Sequence, residues 1–314
     1  MSDGRLAVTV ASLSFRNPVL LAAGTAGYGA ELQGVIDLDA LGGFVTKAVS
    51  AAPRPGAAAP RVAEFDGGML NAVGLANPGL DEVARVQLPW LASHHTQTRK
   101  LFNVVGFTTD EFALVVRGLE TAATGHAGAI DGYELNVSCP NTKKGGMEFG
   151  ADPASLRAVI QGARAATKRP LFVKLSPTLP NVGDAAAMSV DSGADGITVV
   201  NTIPGLVIDV EQRRPALGFG SGGVSGRAIL PVGVLATWRV SRAVKVPVIG
   251  LGGISSGTDA IQYIVAGASL VGIGTAAMQD PRVPERVVRE MGHWCDTHRI
   301  RSLDEIRGSL EWPQ

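Results

Sequence analysis

Residues 133–141 read Tyr-Glu-Leu-Asn-Val-Ser-Cys-Pro-Asn. The run 133–137 is strand-like, and it delivers Asn136, Ser138, Cys139 and Asn141 into a turn set by Pro140. A glycine-bearing segment, Lys143-Lys144-Gly145-Gly146, follows at once. Asp152-Pro153 is then an N-cap followed by proline at the first helical position, and helical spacing continues over 153–167. A second apolar run, 171–175, completes a strand–loop–helix–strand unit. Polar amides and a thiol at the carboxyl end of a strand are the material of an α/β active site. An isolated cysteine is more often an inert, buried small hydrophobe, so its surroundings have to decide.

The unit recurs along the chain. Short apolar runs occupy 19–22, 43–46, 101–105, 133–137, 171–175, 196–200, 246–251 and 270–273, several of them nearly continuous Val, Ile, Leu and Phe, as in parallel strands buried on both faces. Helical spacing occupies 110–124, 153–167, 182–192, 228–244, 258–266 and 284–297. Eight strands alternating with helices predict an α/β fold, a (β/α)8 TIM barrel forming one domain over 1–314. A doubly wound open sheet is the alternative, but no G-x-G-x-x-G opens a first βα unit. Residues 6–16 alternate apolar and polar positions, which predicts a short N-terminal hairpin plugging the bottom of the barrel. The stretch 51–60, rich in Ala, Pro and Gly, reads as a loop insertion after the second strand. It leads into Asn71-Ala72-Val73-Gly74-Leu75-Ala76-Asn77-Pro78-Gly79, too apolar and too rich in amides for a solvated linker.

Composition is consistent with this reading. Hydrophobic residues make up 46% of the 314 and charged residues 18%, which permits a large core. Glycine, 40 residues, exceeds the usual ~7% and clusters at the ends of apolar runs. The 28 basic and 28 acidic residues cancel, so no long-range field favours nucleic acid or an anionic membrane. No run approaches the ~18 apolar residues of a membrane span, and the N-terminus has no signal-peptide character. Two cysteines, Cys139 and Cys295, are too few for a disulfide framework and fit a reducing cytoplasm. Trp294 and Cys295 read as helix packing.

In such a barrel the strand ends converge on one rim. They would bring together Ala23, Gly24, Lys47, Asn103, Asn136, Cys139, Lys174, Asn201, Thr202, Gly252, Gly253, Gly274 and Thr275. A strand-end lysine is often a snorkelling surface charge, but Lys47 and Lys174 each close an apolar run, and together they point to an anionic ligand. Asn71, Asn103, Asn136 and Asn201 supply donors and acceptors suited to a planar, amide-like ring. Gly252-Gly253 and Gly274-Thr275 follow the seventh and eighth strands, where barrels build phosphate sites from backbone N–H groups. The histidines, including the pair His94-His95, show no metal-ligand spacing, and that pair reads as a solvated face. No G-x-S-x-G elbow marks a serine hydrolase.

Asn136-Val-Ser-Cys-Pro-Asn, the 71–79 segment, the two strand-end lysines and Asn201-Thr202 together resemble the dihydroorotate dehydrogenase family over about residues 6–290, and within it class 1B, the NAD-linked type. The resemblance implies a flavin-bearing barrel that oxidises (S)-dihydroorotate to orotate in pyrimidine biosynthesis. It implies FMN as cofactor, with Cys139 as the base for the C5 proton while hydride leaves C6 for the flavin. It places substrate on Lys47, Asn71, Ala72, Val73, Gly74, Leu75, Asn136, Asn201 and Thr202. Flavin contacts fall on Ala23, Gly24, Lys47, Ala48, Asn103, Asn136, Lys174, Val200, Gly226, Gly252, Gly253, Gly274 and Thr275, with Lys174 at the pyrimidine edge. The family often has serine where this chain has Ala23, so a backbone contact survives there and a hydroxyl contact does not. Class 1B members pair with a subunit carrying FAD and an iron–sulfur cluster, so the expected assembly is a homodimer of this chain with such a partner. The alternatives are a fumarate-linked class 1A enzyme and a flavin dehydrogenase of the dihydropyrimidine type.

Overall fold

A computed structural model describes residues 4–138, 140, 141 and 147–313. Eight parallel strands close a barrel: β1 (Val19–Leu21), β2 (Gly43–Val45), β3 (Arg99–Val104), β4 (Gly132–Asn136), β5 (Leu171–Leu175), β6 (Gly196–Val199), β7 (Val248–Leu251) and β8 (Leu270–Ile273), each hydrogen-bonded to the next, with β8 returning to β1. The eight predicted runs are these eight strands, within a residue or two at the ends. The predicted helices are α1 (Thr109–Ala123), α2 (Pro153–Ala166), α3 (Val182–Asp191), α4 (Leu230–Ala243), α5 (Gly257–Ala266) and α6 (Val283–His298).

Alternation along the strands sorts side chains into two cores. Inside the barrel, Leu20, Val45, Leu101, Phe172, Ile249 and Leu270 pack into one cluster. Val8, Val10 and Phe15 join it from the antiparallel hairpin Val8–Val10/Leu13–Phe15, so the N-terminal hairpin does plug the bottom. Outside, the other faces of the strands pack against the helices in one continuous layer that includes Tyr133, Ile160, Ile197 and Met291. Cys295 is fully buried in that layer, as packing requires.

The Asp152-Pro153 signal is realised: the Asp152 carboxylate accepts from Ser155 N–H at 2.9 Å at the start of α2. Asp152→Ala is expected to lower stability by about 1 kcal/mol, measured as the midpoint shift of urea unfolding.

Two regions depart from simple alternation. Between β1 and β2 the chain forms only the 3-10 turns Ala30–Leu32 and Leu38–Ala40, because glycines at positive φ, Gly24, Gly27, Gly29 and Gly34, interrupt any helix. After β2 and again after β6 the chain leaves the barrel to build a four-stranded antiparallel sheet, ordered Ile203–Gly205, Gly222–Ser225, Gly68–Asn71, Val62–Phe65. Periodicity had assigned no strand to any of these segments, since three of the four carry glycine and none is a continuous apolar run.

Candidate active site

Each barrel strand ends in a residue aimed at the same rim, because inward positions repeat every second residue and the last one or two lie above the core layer. Below the rim the interior is apolar except for Glu134; at the rim it turns polar. A cavity of about 610 Å³ occupies this position, within the size range of small-molecule sites. Its walls contain Ala23, Gly24, Lys47, Ala48, Asn103, Asn136, Lys174, Val200, Asn201, Thr202, Gly252, Gly253, Gly274 and Thr275 from the barrel. The two excursions contribute Asn71, Ala72, Val73, Gly74, Leu75 and Gly226, so the small sheet forms the side wall. Every predicted site residue except Cys139 lines this one cavity. Cys139 lies outside the described residues.

The polar groups are held by their neighbours. Thr46, wholly buried, donates to Lys47 O at 3.0 Å and accepts from Asn103 N–H at 3.2 Å. Lys47 N–H donates to Gly27 O at 2.7 Å. Tyr28 donates its hydroxyl to Ala48 O at 3.0 Å, and burial beside Glu31 pushes its phenol above the ordinary tyrosine range, so it stays a donor. Asn201 Nδ2 donates to Asn136 Oδ1 at 3.4 Å, and Asn201 Oδ1 accepts from Thr202 N–H at 2.9 Å. Asn71 Nδ2 donates across the small sheet to Gly223 O at 3.2 Å. Among the described residues neither Lys47 nor Lys174 has an ion-pair partner, although Lys174 is only 6% exposed. Two uncompensated ammonium groups in a low-dielectric cleft are a strong attraction for an anion.

Backbone geometry marks the same walls. Gly24 has φ 86°, and a Cβ built there meets no atom within 4 Å, so it would project into the open cavity. Gly253 has φ 72°, and a Cβ there would lie 2.7 Å from Leu230 N. The backbone can therefore approach a ligand closely at Gly24, whereas Gly253 is required by its packing against Leu230. Leu75 holds φ 57° without being glycine, a conformation that costs about 1–2 kcal/mol and recurs at binding loops.

A second cavity of about 540 Å³ shares Asn71, Ala72, Gly74, Asn201 and Thr202 with the first and extends towards Ser138 and Glu148. The Ser138 hydroxyl is buried with no partner among the described residues. Burial pushes the Glu148 carboxyl up, opposed by a hydrogen bond from Ser176.

The His94-His95 pair is not a solvated face. His94 stacks on Trp90 with ring centroids 4.3 Å apart, and His95 is half-buried beside the same ring. The helical residues 80–93 were not assigned from sequence, and they are what bring Trp90 against the pair.

Residues that the sequence reading passed over also reach the site. Glu31, Ile229 and Met278 line the cavity, and Glu134, 1% exposed, lies in the interior just below it. Glu134 had a signal: it stands two residues before Asn136 on the same strand face. Glu31 and Ile229 sit in 3-10 turns and Met278 in the short helix Thr275–Gln279, too brief for a period to reveal them.

A family model described as "Dihydroorotate dehydrogenase" matches residues 5–294. A protein of Pelobacter propionicus named dihydroorotate dehydrogenase B (NAD(+)), catalytic subunit, is 43% identical over 98% of both chains. The protein of the same name from Trichlorobacter lovleyi is 42% identical, again over 98% of both chains. A Solibacter usitatus protein, provisionally named dihydroorotate dehydrogenase A (fumarate), is 44% identical over 98% of this chain and 99% of its own. Among solved structures, a dihydroorotate dehydrogenase from Eimeria tenella in complex with ferulenol superposes with a TM-score of 0.81 at 24% identity, covering 98% of this chain and 89% of that one. That likeness is one of fold.

Proposed function

Because the chain belongs to the dihydroorotate dehydrogenase family, we propose that it oxidises (S)-dihydroorotate to orotate in de novo pyrimidine biosynthesis, as the catalytic subunit of an NAD-linked enzyme. The observation that carries the proposal is one rim cavity holding two lysines with no ion-pair partner among the described residues, four asparagines and the glycine turns after β7 and β8.

The cavity suits FMN. Gly24 lets backbone approach a flat ring, and a side chain there would fill the space. Ala23, Gly24, Ala48, Asn103, Lys174 and Val200 would hold the ring system, and Gly226, Gly252, Gly253, Gly274 and Thr275 the phosphate arm. Bound FMN supplies a two-electron acceptor for the hydride at C6 of dihydroorotate. Lys47 binds the substrate carboxylate, with the backbone of 71–75 beside it. Asn136, Asn201 and Thr202 orient the ring amides, and the Asn201–Asn136 hydrogen bond keeps those two carboxamides in a fixed relation. Lys174 offers positive charge where negative charge develops on the cofactor's pyrimidine edge. Cys139, three residues beyond β4 in the sequence, removes the C5 proton. Gly24→Ala is expected to weaken FMN binding about tenfold or more, because the methyl enters the cavity and the backbone is strained; fluorescence titration of the apoprotein reads this directly.

We assign the whole chain, 1–314, to one FMN-binding barrel acting in the cytoplasm. Among the described residues no helix is long and apolar enough to cross a membrane. Electrons pass onward through a partner carrying FAD and an iron–sulfur cluster, with a homodimer of this chain at the centre. The relatives' name, catalytic subunit, supports a partner, and two cysteines cannot ligate a four-cysteine cluster. The fumarate-linked alternative has its own support in the 44% identical relative.

Purified protein should be yellow, and anaerobic dihydroorotate should bleach its flavin absorbance. A colourless protein that takes up no FMN sinks the proposal. Co-expression with a cluster-bearing partner followed by NADH assay, against fumarate-coupled turnover of the chain alone, separates the two electron acceptors.

A further inference from the structure

Glu134 is a carboxylic acid inside the barrel, 1% exposed, on an interior otherwise filled by Leu20, Val45, Leu101, Phe172 and other apolar side chains. Such a group is expensive to bury and is retained only with a partner. Its Oε1 accepts from Asn103 Nδ2 at 2.9 Å, and the two residues face each other directly across the β3–β4 ladder. Phe172 is its register neighbour on β5, and Lys174, one inward position further along, pairs with Asn136. The carboxylate thus lies one layer beneath the cavity floor, touching a floor residue without reaching the cavity itself.

A carboxylate accepts and cannot donate, whereas a carboxamide does both at opposite ends. Glu134 therefore admits one orientation of Asn103, with Nδ2 down into the barrel. Oδ1 must then point the other way, and it has no donor among the described residues. Asn103 N–H is tied to Thr46 Oγ1, so the backbone under that side chain is held as well.

We infer that Glu134 is a positioning residue: it locks Asn103 so that this point of the floor presents a hydrogen-bond acceptor, selecting a planar ring that carries an N–H there. The inference rests on the proposed flavin reading. The oxidised flavin ring has a single N–H, at N3, so the matching group on the cofactor is unambiguous.

The test compares FMN with its N3-methyl analogue, each titrated into the full-length apoprotein. The native chain should bind the analogue at least about tenfold more weakly, since methylation removes the donor and leaves Asn103 Oδ1 unpaired. In Glu134→Gln the new amide can donate, Asn103 can turn over, and the preference should fall to about twofold with FMN itself bound more weakly. Asn103→Ala should lose the preference too, and Glu134→Gln added to Asn103→Ala should change FMN affinity less than twofold, because a residue acting through Asn103 has nothing left to position. Equal binding of the two flavins by the native chain overturns the inference without calling on any variant. Full preference retained in Glu134→Gln, or purely additive losses in the double variant, overturns it as well. A native chain that takes up neither flavin overturns the functional reading, and this role with it; uptake without discrimination overturns this role alone.

Discussion

Replacing Cys139 with alanine is expected to slow reduction of the bound flavin by dihydroorotate on the order of 10³-fold, within the 10²–10⁴ range of a lost general base, while FMN stays bound. The separation follows from the assignment: Cys139 is given the proton at C5, whereas the residues assigned to the flavin line the cavity from the other strand ends. Anaerobic stopped-flow reduction gives the rate, and the flavin-to-protein absorbance ratio gives occupancy. The pH profile adds a sign. The thiolate is the basic form, and an ordinary thiol ionises near pH ~8.5, so the native rate should climb about tenfold per pH unit below that value and level off above it. A cation close to the thiol would move the plateau to lower pH. Reduction by Cys139→Ala at the native rate would remove the cysteine from the chemistry.

Lys47→Met is expected to raise KM for dihydroorotate on the order of 10²-fold. An ammonium–carboxylate hydrogen bond contributes about 1.5–3 kcal/mol, and each 1.4 kcal/mol is a factor of about ten. The upper end applies because no described side chain stands ready to compensate the substrate's charge at that point except Lys174. The informative control is dihydrouracil, which lacks the carboxylate. Native protein should favour dihydroorotate strongly; the variant should lose most of that preference while its action on dihydrouracil changes little. Equal losses on both compounds would place Lys47 with the cofactor alone.

The barrel was legible because its strands are short, apolar and bounded by glycine or polar residues, a local pattern that burial on both faces imposes. The rim was legible for the same reason: once eight strands are placed, their last residues must converge, and Lys47, Asn103, Asn136 and Lys174 are strand-end residues. The roles drawn for these side chains came from the family resemblance, and experiments of the kind above decide them.

Other parts had no local signature. The four-stranded antiparallel sheet that walls the cavity pairs Gly68–Asn71 with Gly222–Ser225, segments some 150 positions apart, as in the contact from Asn71 to Gly223. Its strands are stabilised by partners distant in the chain rather than by their own periodicity. His94 and His95 look solvated in sequence because the helical residues 80–93 that shelter them contain a π-helical stretch, Val83–Gln87, which breaks the 3.6-residue period.

The order of strands and the residues at their ends were thus determined by the chain's own alternation of apolar and polar positions, since that alternation is the physical requirement for closing a barrel. Which of those residues are paired and which stand free was decided only by tertiary structure. Asn103 and Glu134 lie 31 positions apart and meet through strand register, while Lys47 and Lys174 remain without a described counter-charge. Hydrogen bonds and ion pairs act over a few ångströms of space, and distance along the sequence does not record that.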